Sequence, residues 1–253
     1  MLHQGDIIVG LVAAVVIGLS KTAVPGSGLL ATPLIALSFT GRQISGATLV
    51  LLLTADVFAV RFYRQHARWD LLRRLAPWVA VGFAAGASFY VWVGNSTRTI
   101  DVVIAVMILV IVALQTRRLV RRQPAVASAR SSAAFYGSTG GFATFVSNNA
   151  GPILNSHLMG LGLDKDEFIG TSSWFYFVVN VTKLPIYLAL GALSHGGGSF
   201  FTHRSLLFDL AALPGVLAGL WVGRRLYRRI DQRTFIVIVL GLSAAGAIKL
   251  LIG

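Results

Sequence analysis

Residues 7–19 read IIVGLVAAVVIGL, residues 29–39 read LLATPLIALSF, and between them lies Ser20-Lys21-Thr22-Ala23-Val24-Pro25-Gly26-Ser27-Gly28. The same design returns later: apolar residues 133–146, then Ser147-Asn148-Asn149-Ala150-Gly151, then apolar residues 152–163. Thirteen helical residues reach about 20 Å, whereas a bilayer core is about 30 Å thick. Each apolar pair is therefore read as a hairpin of half-helices meeting at membrane depth. Non-helical backbone there is tolerated only when buried in protein or lining a wet cavity.

Composition supports a membrane setting. Hydrophobic residues make up 55% of the 253, charged residues 12%, and mean hydropathy is +0.75. A soluble domain carries about a quarter charged residues, so this chain has too little polar surface to face water, and the same values exclude disorder. With no cysteine, thiolate metal sites, disulfides and cysteine nucleophiles are excluded. The run 7–19 has no Lys or Arg before it and recurs near residue 137, so it is read as structure and not as a signal peptide.

Outside the hairpins, the stretches 44–63, 75–93, 100–116, 168–190, 206–223 and 234–252 are long enough to span a bilayer. The fold expected is an all-α integral membrane protein of two repeats. The first membrane repeat covers 1–116, a basic linker 117–132, and the second repeat 133–253. Internal echoes define them. At an offset of 119, Gly18, Ala31 and Pro33 fall on Gly137, Ala150 and Pro152. At 124, Gly46, Val57 and Tyr63 fall on Gly170, Val181 and Tyr187, and Asp56 on Asn180. At 137, Pro77, Gly82 and Gly86 fall on Pro214, Gly219 and Gly223.

The net charge of +13 tests the topology. A hairpin plus three spans per repeat puts fifteen basic residues, from Arg64 to Arg233, on one side and only Arg42, Arg98 and Arg204 on the other. The positive-inside rule makes the rich side cytoplasmic and both termini external. A single broken crossing in place of each hairpin would scatter the clusters over both sides. Re-entrant hairpins and pairs of short full crossings keep the same parity. An odd number of spans inverts the second repeat. Inverted repeats with paired, interrupted segments are the sequence signature of secondary transporters.

Gly18…Pro25-Gly26-x-Gly28-x4-Pro33-Leu34 and Gly137…Gly140-Gly141…Asn148-Asn149-x-Gly151-Pro152 resemble the paired signatures of the TauE/SafE sulfite-exporter family, also called the 4-toluenesulfonate uptake permease superfamily. The likeness covers essentially the whole chain. It implies a multi-pass carrier of the bacterial inner membrane for sulfite, sulfonates and related small anions.

A small oxyanion in a low-dielectric cavity needs oriented N–H dipoles, hydroxyl or amide donors and a cation or two. The half-helices starting near Leu29 and Pro152 aim their N-termini inward, preceded by Ser27-Gly28 and by Ser147, Asn148, Asn149 and Gly151. Lys21 at membrane depth would attract the anion. Asn180, Lys183 and Tyr187 share one helix face, and Asp56, the counterpart of Asn180, is expected to pair with Lys183 or Lys21. Asp56 and His157 are the candidates for proton coupling, with a structural ion pair as the plainer role for Asp56. Gly82, Gly86, Gly219 and Gly223 read as helix-packing positions.

The leading reading is export of sulfite or an organosulfonate by alternating access, with no cofactor and no nucleic acid. Expelling a monoanion from a negative interior gains about 2.3 kcal/mol per 100 mV, and no Walker motif is present. Uptake of a carboxylate or another small anion is the alternative. An intramembrane enzyme would require a nucleophile–base or metal constellation, and none is apparent; a membrane-embedded partner subunit would not need a polar midplane.

Overall fold

The computed structural model describes residues 3–22, 27–94, 96–121, 131–193, 198–226 and 232–252. Pro25 and Gly26, residues 122–130 of the linker, His195, and Arg228 and Arg229 lie outside the described residues, as do the side chains of Ser27, Lys165 and Arg233; the first five linker residues, 117–121, continue α5, and the last two, 131–132, begin α6. All regular structure among the described residues is helical. In chain order come α1 (Gln4–Thr22), a 3-10 turn (Ser27–Leu30), α2 (Ala31–Ile35), α3 (Arg42–Tyr63), α4 (Trp69–Val93) and α5 (Thr97–Arg121). Then follow α6 (Ser131–Ser147), α7 (Gly151–Gly160), α8 (Lys165–Leu193), α9 (His203–Leu226) and α10 (Gln232–Ile252).

Six helices are long and apolar enough to cross a membrane: α1, α3, α4, α5, α8 and α9. The described apolar part of α10, Val237–Ile252, is shorter. Both first arms outgrow the half-helices expected from the apolar runs. The 19 residues of α1 extend about 28 Å and the 17 of α6 about 25 Å. The cause is that polar residues join the helices at their ends. His3 N–H donates to the Asp6 carboxylate (3.1 Å) and so fixes the first turn of α1 in the manner of a capping box. At the far end, Ser20 Oγ and Thr22 Oγ1 donate back to the carbonyls of Ile17 and Gly18 (2.7 and 3.1 Å). Only the second arms are short, with ten residues in α7 and five in α2.

Helix packing pairs the first half with the second. α1 lies along α9, α4 along α6, α3 against α8 and α5 against α10. Glycine permits the closest of these approaches. A Cβ on Gly18 would come within 2.6 Å of Leu220 N on α9, and one on Gly82 within 2.6 Å of Phe142 N on α6. Backbone faces backbone at both places, so nothing flexible can yield. Gly18→Val and Gly82→Val should therefore each part a helix pair and abolish the folded, monodisperse protein, as measured by size exclusion and thermal unfolding in detergent. Wild-type melting in either variant would show that the pairs pack otherwise.

The surface inverts the soluble pattern. Ile8, Val91, Trp92, Leu188 and Trp221 are each more than half exposed, while Asp56, Asn180 and Lys183 are at most 1% exposed. Charges hidden inside and hydrocarbon shown outside suit a lipid solvent. Trp69 and Trp92, at opposite ends of α4, are both exposed, as interfacial anchors require. Arg42 is instead buried, its guanidinium donating to the carbonyls of Tyr90 and Gly94 (both 2.7 Å) and of Gly198 (3.2 Å).

Candidate functional site

The two interrupted segments meet. Thr32 Oγ1, on α2, donates to the Ser147 carbonyl at the end of α6 (2.9 Å), and that carbonyl also accepts from Asn149 Nδ2 (2.8 Å). Asn149 Nδ2 lies 3.2 Å from Thr32 Oγ1 as well. Asn148 bends the chain between α6 and α7. Its φ of +58° lies in the left-handed region, which asparagine enters more readily than other side-chain-bearing residues. Asn148 Nδ2 then donates to the Ser45 carbonyl of α3 (2.9 Å).

Behind this bend stands Lys183, 0% exposed. Its ammonium donates to the Thr144 carbonyl (3.0 Å), to Thr144 Oγ1 (3.2 Å) and to Asn148 Oδ1. All three N–H donors of a lysine ammonium are thus occupied. Lys21, from the last turn of α1, takes a different place. Its Nζ lies 2.6 Å from Asp56 Oδ1 and 4.2 Å from the centre of the Tyr176 ring. The other Asp56 oxygen accepts from Asn180 Nδ2 at 2.6 Å. Asp56 therefore pairs with Lys21 and bonds to Asn180, its own counterpart at the 124-residue offset.

Beside these groups lies a cavity of ≈ 70 Å³. A water needs roughly 10–15 Å³ by the same measure, so there is room for a few waters or one small solute. Lys21, Gly28, Asn148, Asn149, Gly151 and Asn180 line it, six of the residues singled out from sequence. Gly151 and Pro152 bring the N-terminus of α7 to its wall. Ser147, Lys183 and Asp56 do not line the cavity; they hold residues that do. His157 is set apart, 4% exposed with its ring 5.1 Å from that of Tyr136. No group of three or more His, Cys, Asp or Glu residues that could hold a metal occurs among the described residues.

Sequence reasoning missed Thr144, Asn155, Ser172, Ser173 and Tyr176, all of which line the cavity. One signal was available. Ser172, Ser173, Tyr176, Asn180, Lys183 and Tyr187 form a polar stripe at spacings of three and four along α8. The lining residues Phe168 to Ser173 put the cavity toward the N-terminal end of α8. Toward the C-terminal part of α8 the interior is filled by rings. Tyr187 stacks on Phe200 (4.1 Å), Tyr90 meets Phe200 edge-on (4.9 Å), and Phe145 packs against Tyr187 (5.2 Å); all four are buried. Ser45 Oγ and Tyr90 OH bind the Val146 carbonyl (2.6 and 3.0 Å), and Tyr187 OH binds that of Phe145.

Six helices long and apolar enough to cross a membrane, around a cavity lined by a lysine and several amides, are the features of a multi-pass membrane protein with a polar interior. The chain matches the family described as Sulfite exporter TauE/SafE over residues 10–250, and it belongs to that family of membrane transporters. No curated protein and no solved structure matches it.

Proposed function

We propose that this protein is a secondary carrier that exports a small sulfur-containing anion, sulfite or an organosulfonate, by alternating access. The observation that carries the reading is the cavity between the two interruptions, with the Lys21 ammonium and the N-terminus of α7 at its wall. Lys21 and Lys183 bring two formal positive charges to this region and Asp56 one negative charge. Lys21, Asn148, Asn149, Asn180 and the backbone at Gly28 and Gly151 contact the anion, with Ser27 beside them in sequence. Lys183 and Ser147 hold the second interruption in shape, and Asp56 orients Lys21.

Two oppositely oriented halves supply the movement. Their exchange of contacts supports this: α1 of the first half lies along α9 of the second, and α6 of the second along α4 of the first. Gly46 abuts Phe200 in the α8–α9 connection, while its counterpart Gly170 abuts His66 in the α3–α4 connection. In this state the ring cluster of Tyr90, Phe145, Tyr187 and Phe200 is the closed gate. By the positive-inside rule that gate faces outward, both termini are external, and the cavity faces the cytoplasm.

Purified protein reconstituted in liposomes should release trapped labelled sulfite, at a rate that rises when the interior is made electrically negative. Protein-containing liposomes that release sulfite, methanesulfonate and acetate no faster than empty ones would sink the reading.

A further inference from the structure

On the lipid-facing side of the second interruption is a groove of ≈ 580 Å³. Val81 of α4, Val110 and Leu114 of α5 and Phe135 of α6 form its walls, each at least 46% exposed, and Pro152 and Ile153 of α7 form its floor. In the first half the matching place is filled by protein. There α10 packs on α2 and on the 3-10 turn before it, and Gly246 sits against Pro33, the counterpart of Pro152. Helix α5 packs on α6 and α10 and leaves the equivalent seat on α7 to another occupant.

We propose that one acyl chain of an anionic phospholipid fills this groove, from the leaflet on the side of the basic loops. Three observations fix the occupant. An apolar groove open to hydrocarbon at membrane depth holds neither water nor vacuum when a lipid tail can enter. The wall from Val106 to Leu114 runs about 12 Å, and about 16 Å to Arg117, close to the ~15 Å depth of one leaflet. Exposed Arg117 follows Leu114 at i+3, on the same helix face, and opens the sequence cluster Arg117, Arg118, Arg121 and Arg122. A tail in the groove thus brings its phosphate to a basic headgroup seat. The lipid packs against Pro152, whose other side lines the solute cavity, so it braces the first turn of α7.

Native mass spectrometry of the purified protein, after delipidation and titration with phosphatidylglycerol or phosphatidylcholine, tests this without reference to transport. Wild-type protein should retain one phosphatidylglycerol in preference to phosphatidylcholine. Val110→Trp, which fills the groove, should lose that lipid, and Leu188→Trp, on another lipid-facing helix, should keep it. Arg117→Gln should reduce the preference for the anionic headgroup about fivefold and reports on the seat even if Val110→Trp does not fold. Equal retention by wild type, Val110→Trp and Arg117→Gln overturns the proposal. So does a dimer that Val110→Trp disperses, because a second copy would then occupy the groove.

Discussion

Lys21→Ala should abolish anion flux and also cost the fold about 3–5 kcal/mol, the penalty for leaving one member of a buried ion pair alone. The cost follows from Asp56, which is 0% exposed and whose Oδ1 lies 2.6 Å from the Lys21 ammonium. Without that ammonium the carboxylate keeps Asn180 as a hydrogen-bond partner but has lost its countercharge. The double variant Lys21→Ala/Asp56→Asn separates the two roles. It carries neither charge, so thermal unfolding in detergent should return most of the way to wild type. Sulfite flux should stay absent, because the cation at the cavity wall is still missing. Wild-type flux in the double variant would remove Lys21 from the solute site and leave only a structural ion pair.

Asn148 carries the second large effect, and here backbone and side chain can be told apart. The left-handed bend at φ +58° is tolerated by glycine and resisted by alanine, by about 1 kcal/mol. The amide bridges Ser45 on α3 and Lys183 on α8, and it lines the cavity. Asn148→Gly keeps the bend and loses the amide; Asn148→Ala loses the amide and strains the bend. Both should lower sulfite flux more than tenfold, with Ala melting below Gly. Flux at the wild-type level in Asn148→Gly would mean that the amide neither touches the anion nor holds what does.

Much of this was legible in the chain. All six long apolar stretches fell in helices of 21 to 29 residues, because about twenty consecutive apolar residues have few other ways to satisfy their backbone. The two interruptions were marked by glycine, proline and asparagine. The buried Asp56, Asn180 and Lys183 stood out because charge and amide are rare in hydrocarbon. What eluded reading depended on contacts between distant segments. The length of α1 rests on a carboxylate three residues from His3, a local device that a count of apolar residues overlooks. Whether Lys21 or Lys183 pairs with Asp56 depends on how α1, α3 and α8 rotate about their axes. Arg42 was read as an external loop charge; it is buried because three carbonyls converge on it, from segments about 48 to 156 positions away. Tyr176 was missed because an aromatic on an apolar helix is ordinarily packing. Its value as a bed for Lys21 becomes visible only once α1 is docked.

Asp56 and Asn180, 124 positions apart and 2.6 Å from contact partner to contact partner, bear on ancestry. If the halves descend from one short gene duplicated in opposed orientations, the original pair of identical subunits presented the same side chain to itself at this spot. Two carboxylates at that separation must share a proton, and two amides carry no charge to anchor a lysine. Divergence to one acid and one amide would then give the duplicated chain a carboxylate for Lys21 with an amide donor beside it, an arrangement that a homodimer of identical subunits cannot encode.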